Sequence, residues 1–123
     1  MFYSVESSYI KDGGLQMVDI EVLKHEIVER LKPLNPNKII LFGSYAYGTP
    51  NDSSDIDLFL VKDTDDRNYD AVAMSKVTDL IYKYKIGFDF LSAPASFLSQ
   101  REDYFYKVDI LQNGQVLYER NVS

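Results

Sequence analysis

Three aspartates stand where apolar strands would otherwise run unbroken. In Asp55-Ile56-Asp57-Leu58-Phe59-Leu60-Val61, the alternation of an extended chain puts Asp55 and Asp57 on one face and Ile56, Leu58 and Leu60 on the other. The two carboxylates then sit side by side, about 6 to 7 Å apart along the strand. Two charges placed there cost on the order of several kcal/mol unless something neutralises them, and a divalent cation is the natural partner. Such hard oxygen ligands suit magnesium or manganese, whereas a chain with one His and no Cys is poorly equipped for zinc. The run Ile86-Gly87-Phe88-Asp89-Phe90-Leu91 carries the same anomaly, with Asp89 its only charge, on the face of Gly87 and Leu91. If these strands are neighbours, Asp55, Asp57 and Asp89 converge on one metal centre.

Upstream, Gly43-Ser44 closes another apolar run, Lys38-Ile39-Ile40-Leu41-Phe42. A residue without Cβ at that point lets the backbone approach a phosphate, while the Ser hydroxyl and loop N–H groups donate hydrogen bonds. Neither Gly-Lys-Ser/Thr nor GxGxxG is present, so the usual ATPase and dinucleotide readings fail.

Helices and strands in alternation must position these residues. From the N-cap Asp19, Ile20, Leu23, Ile27 and Leu31 form one stripe of an amphipathic helix, ended by Pro33. Lys38–Phe42 reads as a buried strand. A turn-rich segment from Gly48 to Ser54 leads into a second strand, 55–61. After an acidic turn from Asp63 to Asp70, which reads as solvated and could supply an Asp cap, Tyr69, Val72, Ala73, Val77, Leu80 and Tyr84 trace a second helix to about Lys85. Ile86–Leu91 is a third strand. Pro94 opens a third helix with Leu98, Phe105, Val108 and Leu111 inward, and Gly114 ends it in the C′ position. Gln115–Glu119 reads as a fourth strand. The order α-β-β-α-β-α-β predicts one α/β or α+β domain over residues 18–123, a small mixed sheet with flanking helices. Residues 1–17 form an arm in which Phe2, Tyr3 and Val5 are either an edge strand or flexible. His25 lies off its helix's apolar stripe and reads as a surface residue. Tyr45 and Tyr47 are either packing residues or platforms for a base.

The 123 residues make a one-domain length, and 46% hydrophobic with 26% charged residues is the composition of a soluble globule. The absence of Cys excludes disulfides and thiolate chemistry and agrees with a cytoplasmic location. No run is long and apolar enough to span a membrane, and the start does not read as a signal peptide. The net charge is −6, and residues 52–70 hold seven Asp against Lys62 and Arg67, a local balance of −5. No direct nucleic-acid binding is expected from a chain without a basic stripe.

Gly43-Ser44, ten intervening residues and Asp55-Ile56-Asp57 resemble the Gly-Ser…Asp-x-Asp signature of the polymerase-beta-like nucleotidyltransferase superfamily. Leu41-Phe42-Gly43-Ser44-Tyr45-Ala46-Tyr47-Gly48-Thr49 with Ser54-Asp55-Ile56-Asp57-Leu58 is similar to the minimal nucleotidyltransferases within it. The resemblance covers Lys38 to Leu91, with residues 114–118 as the closing strand, and Asp89 falls where the third family carboxylate is expected. Many members carry Arg directly after Gly-Ser, whereas here Tyr45 and Tyr47 flank Ala46.

The resemblance implies the nucleotidyltransferase fold. It also implies catalytic and metal-binding roles for Asp55, Asp57 and Asp89, nucleotide binding at Gly43 and Ser44, and two magnesium ions (or manganese) with ATP as substrate. AMP would pass from ATP to a hydroxyl, releasing pyrophosphate. A domain of this size leaves no room for an acceptor lobe, and the minimal members resemble one half of a pair whose other half is a small all-helical HEPN toxin. The expected acceptor is thus a tyrosine of that partner, with this chain as antitoxin. The alternatives are an aminoglycoside-type nucleotidyltransferase, which would need a homodimer to build its acceptor site, and a docking antitoxin without catalysis.

Overall fold

In the computed structural model, which describes residues 9–12, 16–51, 53–63, 68–100 and 110–120, a short hairpin precedes the main layers. β1 (Tyr9–Asp12) and β2 (Gln16–Asp19) pair antiparallel with each other. They lie within and just beyond the arm read as edge strand or flexible; Phe2, Tyr3 and Val5 fall outside the described residues.

Asp19 starts α1 (Ile20–Leu31) as the sequence predicts. Its carboxylate accepts from the N–H groups of Glu21 at 3.0 Å and Val22 at 3.3 Å, satisfying donors that a helix start leaves without partners. Asp19→Ala is expected to cost about 1 kcal/mol, read as a lowered urea midpoint at unchanged slope. Ile20, Leu23, Ile27 and Leu31 are all buried. Pro33 does not stop the chain abruptly: it sits inside a 3-10 turn, Lys32–Leu34, which Asn35 closes in the left-handed region at φ 58°.

β3 (Lys38–Phe42) runs antiparallel to β4 (Ile56–Val61) on one side and to β6 (Gln115–Glu119) on the other. β4 pairs parallel with β5 (Phe88–Ala93), so the strand order is β5-β4-β3-β6. A parallel pair needs a crossover. α3 (Tyr69–Tyr84) supplies it, ending at Lys85 in the left-handed region. One sheet face, with Ile39, Leu41, Ile56, Leu58, Leu60 and Phe88, packs with Leu23, Ile27 and Leu31 of α1 and Ala73, Val77 and Leu80 of α3. The other carries Ile40, Phe42, Phe59 and Val61 under Ile110 and Phe97. The second layer includes α4 (Ala95–Gln100). Covering both faces explains why β3 and β4 read as continuous apolar runs rather than as alternating ones.

The mixed sheet with flanking helices confirms the predicted class. Several local expectations differ. β5 starts at Phe88 and runs on through Ser92 and Ala93, because the Gly87 carbonyl only accepts from the Ile56 N–H at 2.8 Å before the ladder begins. Val72 is 37% exposed; Met74 and Ile81 pack at the core's margin instead, since the buried arc of α3 is narrower than the stripe drawn from its sequence. The N-cap of α3 is Asn68, with Asp70 inside the first turn. Phe105 and Val108 fall outside the described residues. Leu111 is 48% exposed while Ile110 is buried: a turn follows Ile110, so helical spacing does not carry to Leu111. Gly114 is not in the left-handed C′ conformation. It is needed for space, because a Cβ there would lie 2.7 Å from Ile40 Cγ2 and closer still to the Ile110 carbonyl. Among the described residues, no helix is long and apolar enough to cross a membrane.

Candidate active site

The parallel register of β4 and β5 sets Asp57 directly beside Asp89. In-register partners project to the same side, from strands about 4.8 Å apart. That side is opposite the α1 and α3 layer, toward which Phe88 and Phe90 turn with ring centroids 6.3 Å apart. Asp55 precedes β4 by one residue and is exposed. Its carboxylate lies over Gly87, where a Cβ would stand 2.6 Å from Oδ1. Asp57 occupies the matching position over Gly43, where a Cβ would run into its Oδ2. Each of the two β4-region carboxylates therefore rests on a neighbouring glycine, and the glycines make room for the acids.

The three acids are not equivalent. Asp89 and Asp55 are exposed, whereas Asp57 is partly withdrawn from water. Burial, then the charges of Asp89 and Asp55, push the Asp57 carboxyl up from 3.8 to about 6. None of the ion pairs among the described residues involves any of the three. Among the described residues, no three carboxylate or imidazole groups stand close enough to hold a metal ion as they lie. The donor set still fits a hard divalent cation: all ligand atoms are carboxylate oxygens, and the like-charge crowding on Asp57 is what a cation relieves.

Gly43 links β3 to α2, a single turn at Ser44–Tyr47. Its φ of 78° and ψ of −162° lie in a region essentially reserved for glycine. The Gly43 carbonyl accepts from the Ala46 and Tyr47 N–H groups at 3.0 and 3.1 Å, and the Ser44 carbonyl accepts from Thr49 N–H at 2.9 Å. Gly48, at φ 78°, ends the turn. Gly43 is thus brought against Asp57, and Ser44 follows it as the first residue of α2. Tyr45 is 7% exposed and belongs to the core, while Tyr47 is 43% exposed. His25 is exposed as expected.

Two polar residues of this region carry no signal in the sequence. Gln115, in β6, donates through Nε2 to the Ala46 carbonyl at 2.7 Å, and Lys24, in α1, donates to Gln115 Oε1 at 2.9 Å. A single amide in a strand and a single lysine on a helix are ordinary surface residues until tertiary packing joins them across 69 and 91 positions of sequence.

The site thus joins a four-stranded mixed sheet to a glycine-led turn beside the in-register aspartates of β4 and β5. The nucleotidyltransferase domain family matches residues 22–116, and the chain belongs to that family. It is a nucleotidyltransferase. A Methanocaldococcus jannaschii protein, provisionally named a protein adenylyltransferase, is 32% identical over 99 residues, spanning 80% of this chain and 90% of the relative. The fold is similar to that in a solved toxin–antitoxin structure with AMP-PNP (TM-score 0.57, 23% identity, 79% of this chain and 73% of the other). It is also similar to that in a mutant of the toxin–antitoxin MntA-HpeT (TM-score 0.53, 21% identity, 79% and 73%).

Proposed function

We propose that this cytoplasmic chain transfers AMP from ATP to a tyrosine hydroxyl of a small helical HEPN-type toxin, acting as the antitoxin of the pair through residues 18–123. The observation that carries the reading is the uncompensated carboxylate group at the Gly43 turn: Asp57, pushed up to about 6 by burial and by Asp89 and Asp55, against a glycine that a side chain could not replace. The name of the M. jannaschii relative and the AMP-PNP in a toxin–antitoxin neighbour support the donor and the partner class.

Asp55, Asp57 and Asp89 would hold magnesium or manganese, which supplies charge neutralisation at the triphosphate and makes the attacking hydroxyl more acidic. The Ser44 hydroxyl and the N–H group of Ser44 at the start of the turn would bind phosphate oxygens. Attack by the acceptor oxygen on the α-phosphorus forms one P–O bond as the bond to the β-phosphate breaks, and pyrophosphate leaves. The hydroxyl proton passes to solvent.

The reading is tested by incubating the protein with α-labelled ATP and magnesium, together with a small helical HEPN-type toxin. Label is expected on a tyrosine of that partner, dependent on the metal. Label on an aminoglycoside with none on protein would replace the acceptor. A tight complex that labels nothing, and is indifferent to Asp55→Asn combined with Asp57→Asn, would reduce the chain to a docking antitoxin.

A further inference from the structure

We propose that Gln115 is a positioning residue for the nucleotide-binding turn, held in orientation by Lys24. The inference rests on the reading of Gly43 and Ser44 as the phosphate-binding turn. α2 is one turn long, and its first two carbonyls, those of Gly43 and Ser44, are satisfied within the turn itself. The Ala46 carbonyl takes its hydrogen bond from Gln115 Nε2 at 2.7 Å.

Gln115 grips the turn from both sides. Its backbone pairs with Leu41 in β3, two residues before Gly43, and its side chain holds Ala46, three residues after it. The segment between these points contains the φ 78°, ψ −162° backbone of Gly43, a conformation that persists only where surrounding contacts over-determine it.

The amide cannot turn over without loss. Lys24 Nζ donates to Gln115 Oε1 at 2.9 Å and to Glu21 Oε2 at 3.0 Å. A flipped amide would set its oxygen against the Ala46 carbonyl and its NH₂ against the ammonium, two repulsive contacts in place of two hydrogen bonds. Lys24, with 19% of its side chain exposed, therefore fixes which end of Gln115 faces the turn. Both residues line a groove of about 310 Å³ between α1 and β6, with Glu21, His25 and Val28. They lie outside the apolar core, so replacing them alters the turn's support and leaves the core contacts in place.

The experiment compares wild type with Gln115→Leu, which keeps the strand and nearly the volume but deletes the grip. KM for ATP is expected to rise five- to tenfold, with KM for the acceptor and the melting temperature nearly unchanged. In nucleotide-free protein, amide exchange at Tyr47 and Thr49 is expected to accelerate. Gln115→Glu, which keeps the Lys24 contact but sets a carboxylate against the Ala46 carbonyl, is expected to match the Leu variant at neutral pH. Should Gln115→Leu fail to fold, Lys24→Met provides the second variant, expected to raise KM for ATP two- to threefold.

A folded Gln115→Leu or Lys24→Met protein with wild-type nucleotide affinity and wild-type exchange at the turn would overturn the proposal. A proportional fall in stability and in every kinetic parameter would do the same by assigning Gln115 a merely structural role. Wild-type protein that binds no ATP would overturn the nucleotide reading, and the inference with it. The exchange rates would then still report whether Gln115 pins the turn.

Discussion

Asp57→Asn is expected to abolish nucleotidyl transfer while making the metal-free protein more stable near neutral pH. The loss should be at least on the order of 10²-fold, because replacing a group that only supports a metal ligand already costs about 10- to 100-fold. The gain in stability follows from the raised carboxyl. Folded Asp57 titrates near 6 against 3.8 as the ordinary value, through burial and the charges of Asp89 and Asp55.

Between those two values the folded state binds more protons than the unfolded chain. The stability that protonation confers is therefore complete below about pH 4 and lost as the pH rises through about 6. The full separation would be worth about 3 kcal/mol, and the partial solvation of Asp57 reduces this to about 1 kcal/mol. Asn, neutral at every pH, escapes the loss. Urea unfolding of wild type and variant from pH 5 to 8, with and without magnesium, reads the difference. Wild type should lose stability relative to the variant as the pH rises, and magnesium, further raised by ATP, should stabilise wild type alone. Parallel pH profiles and equal magnesium responses would refute the role given to Asp57.

Gly43→Ala is expected to combine a stability cost of about 2 to 3 kcal/mol with loss of activity. Two effects add. The φ 78°, ψ −162° backbone costs a residue with a side chain about 1 to 3 kcal/mol. The new methyl would also collide with Asp57 Oδ2, so the carboxylate must leave the position it shares with Asp89. Gly87→Ala separates the two causes. Gly87 has no positive φ, and its Cβ would meet only the carboxylate of exposed Asp55, which is free to swing away. That variant should stay within about 0.5 kcal/mol of wild type and still lose transfer, because Asp55 no longer lies at the site. Melting curves alongside the labelling assay distinguish them. Equal stability of the two variants would show that Gly43 is not held in its special conformation.

Local order along the chain decided much of this protein. The Ile20, Leu23, Ile27 and Leu31 stripe, the Asp19 cap and the apolar runs of β3 and β4 are one-dimensional signals, since burial of one face imposes a period on the residues that form it. The same logic placed Asp55 and Asp57 on a shared side and put the backbone freedom of Gly43 directly after a strand. Tertiary structure decided what distant neighbours decide. Only the parallel pairing of β4 with β5 brings Asp89 beside Asp57, and only the depth of Asp57 in the fold raises its carboxyl. Desolvation is a sum over atoms that sequence spacing does not order, and for that reason the grip of Gln115 on Ala46 and the burial of Ile110 in place of Leu111 have no counterpart in any local pattern.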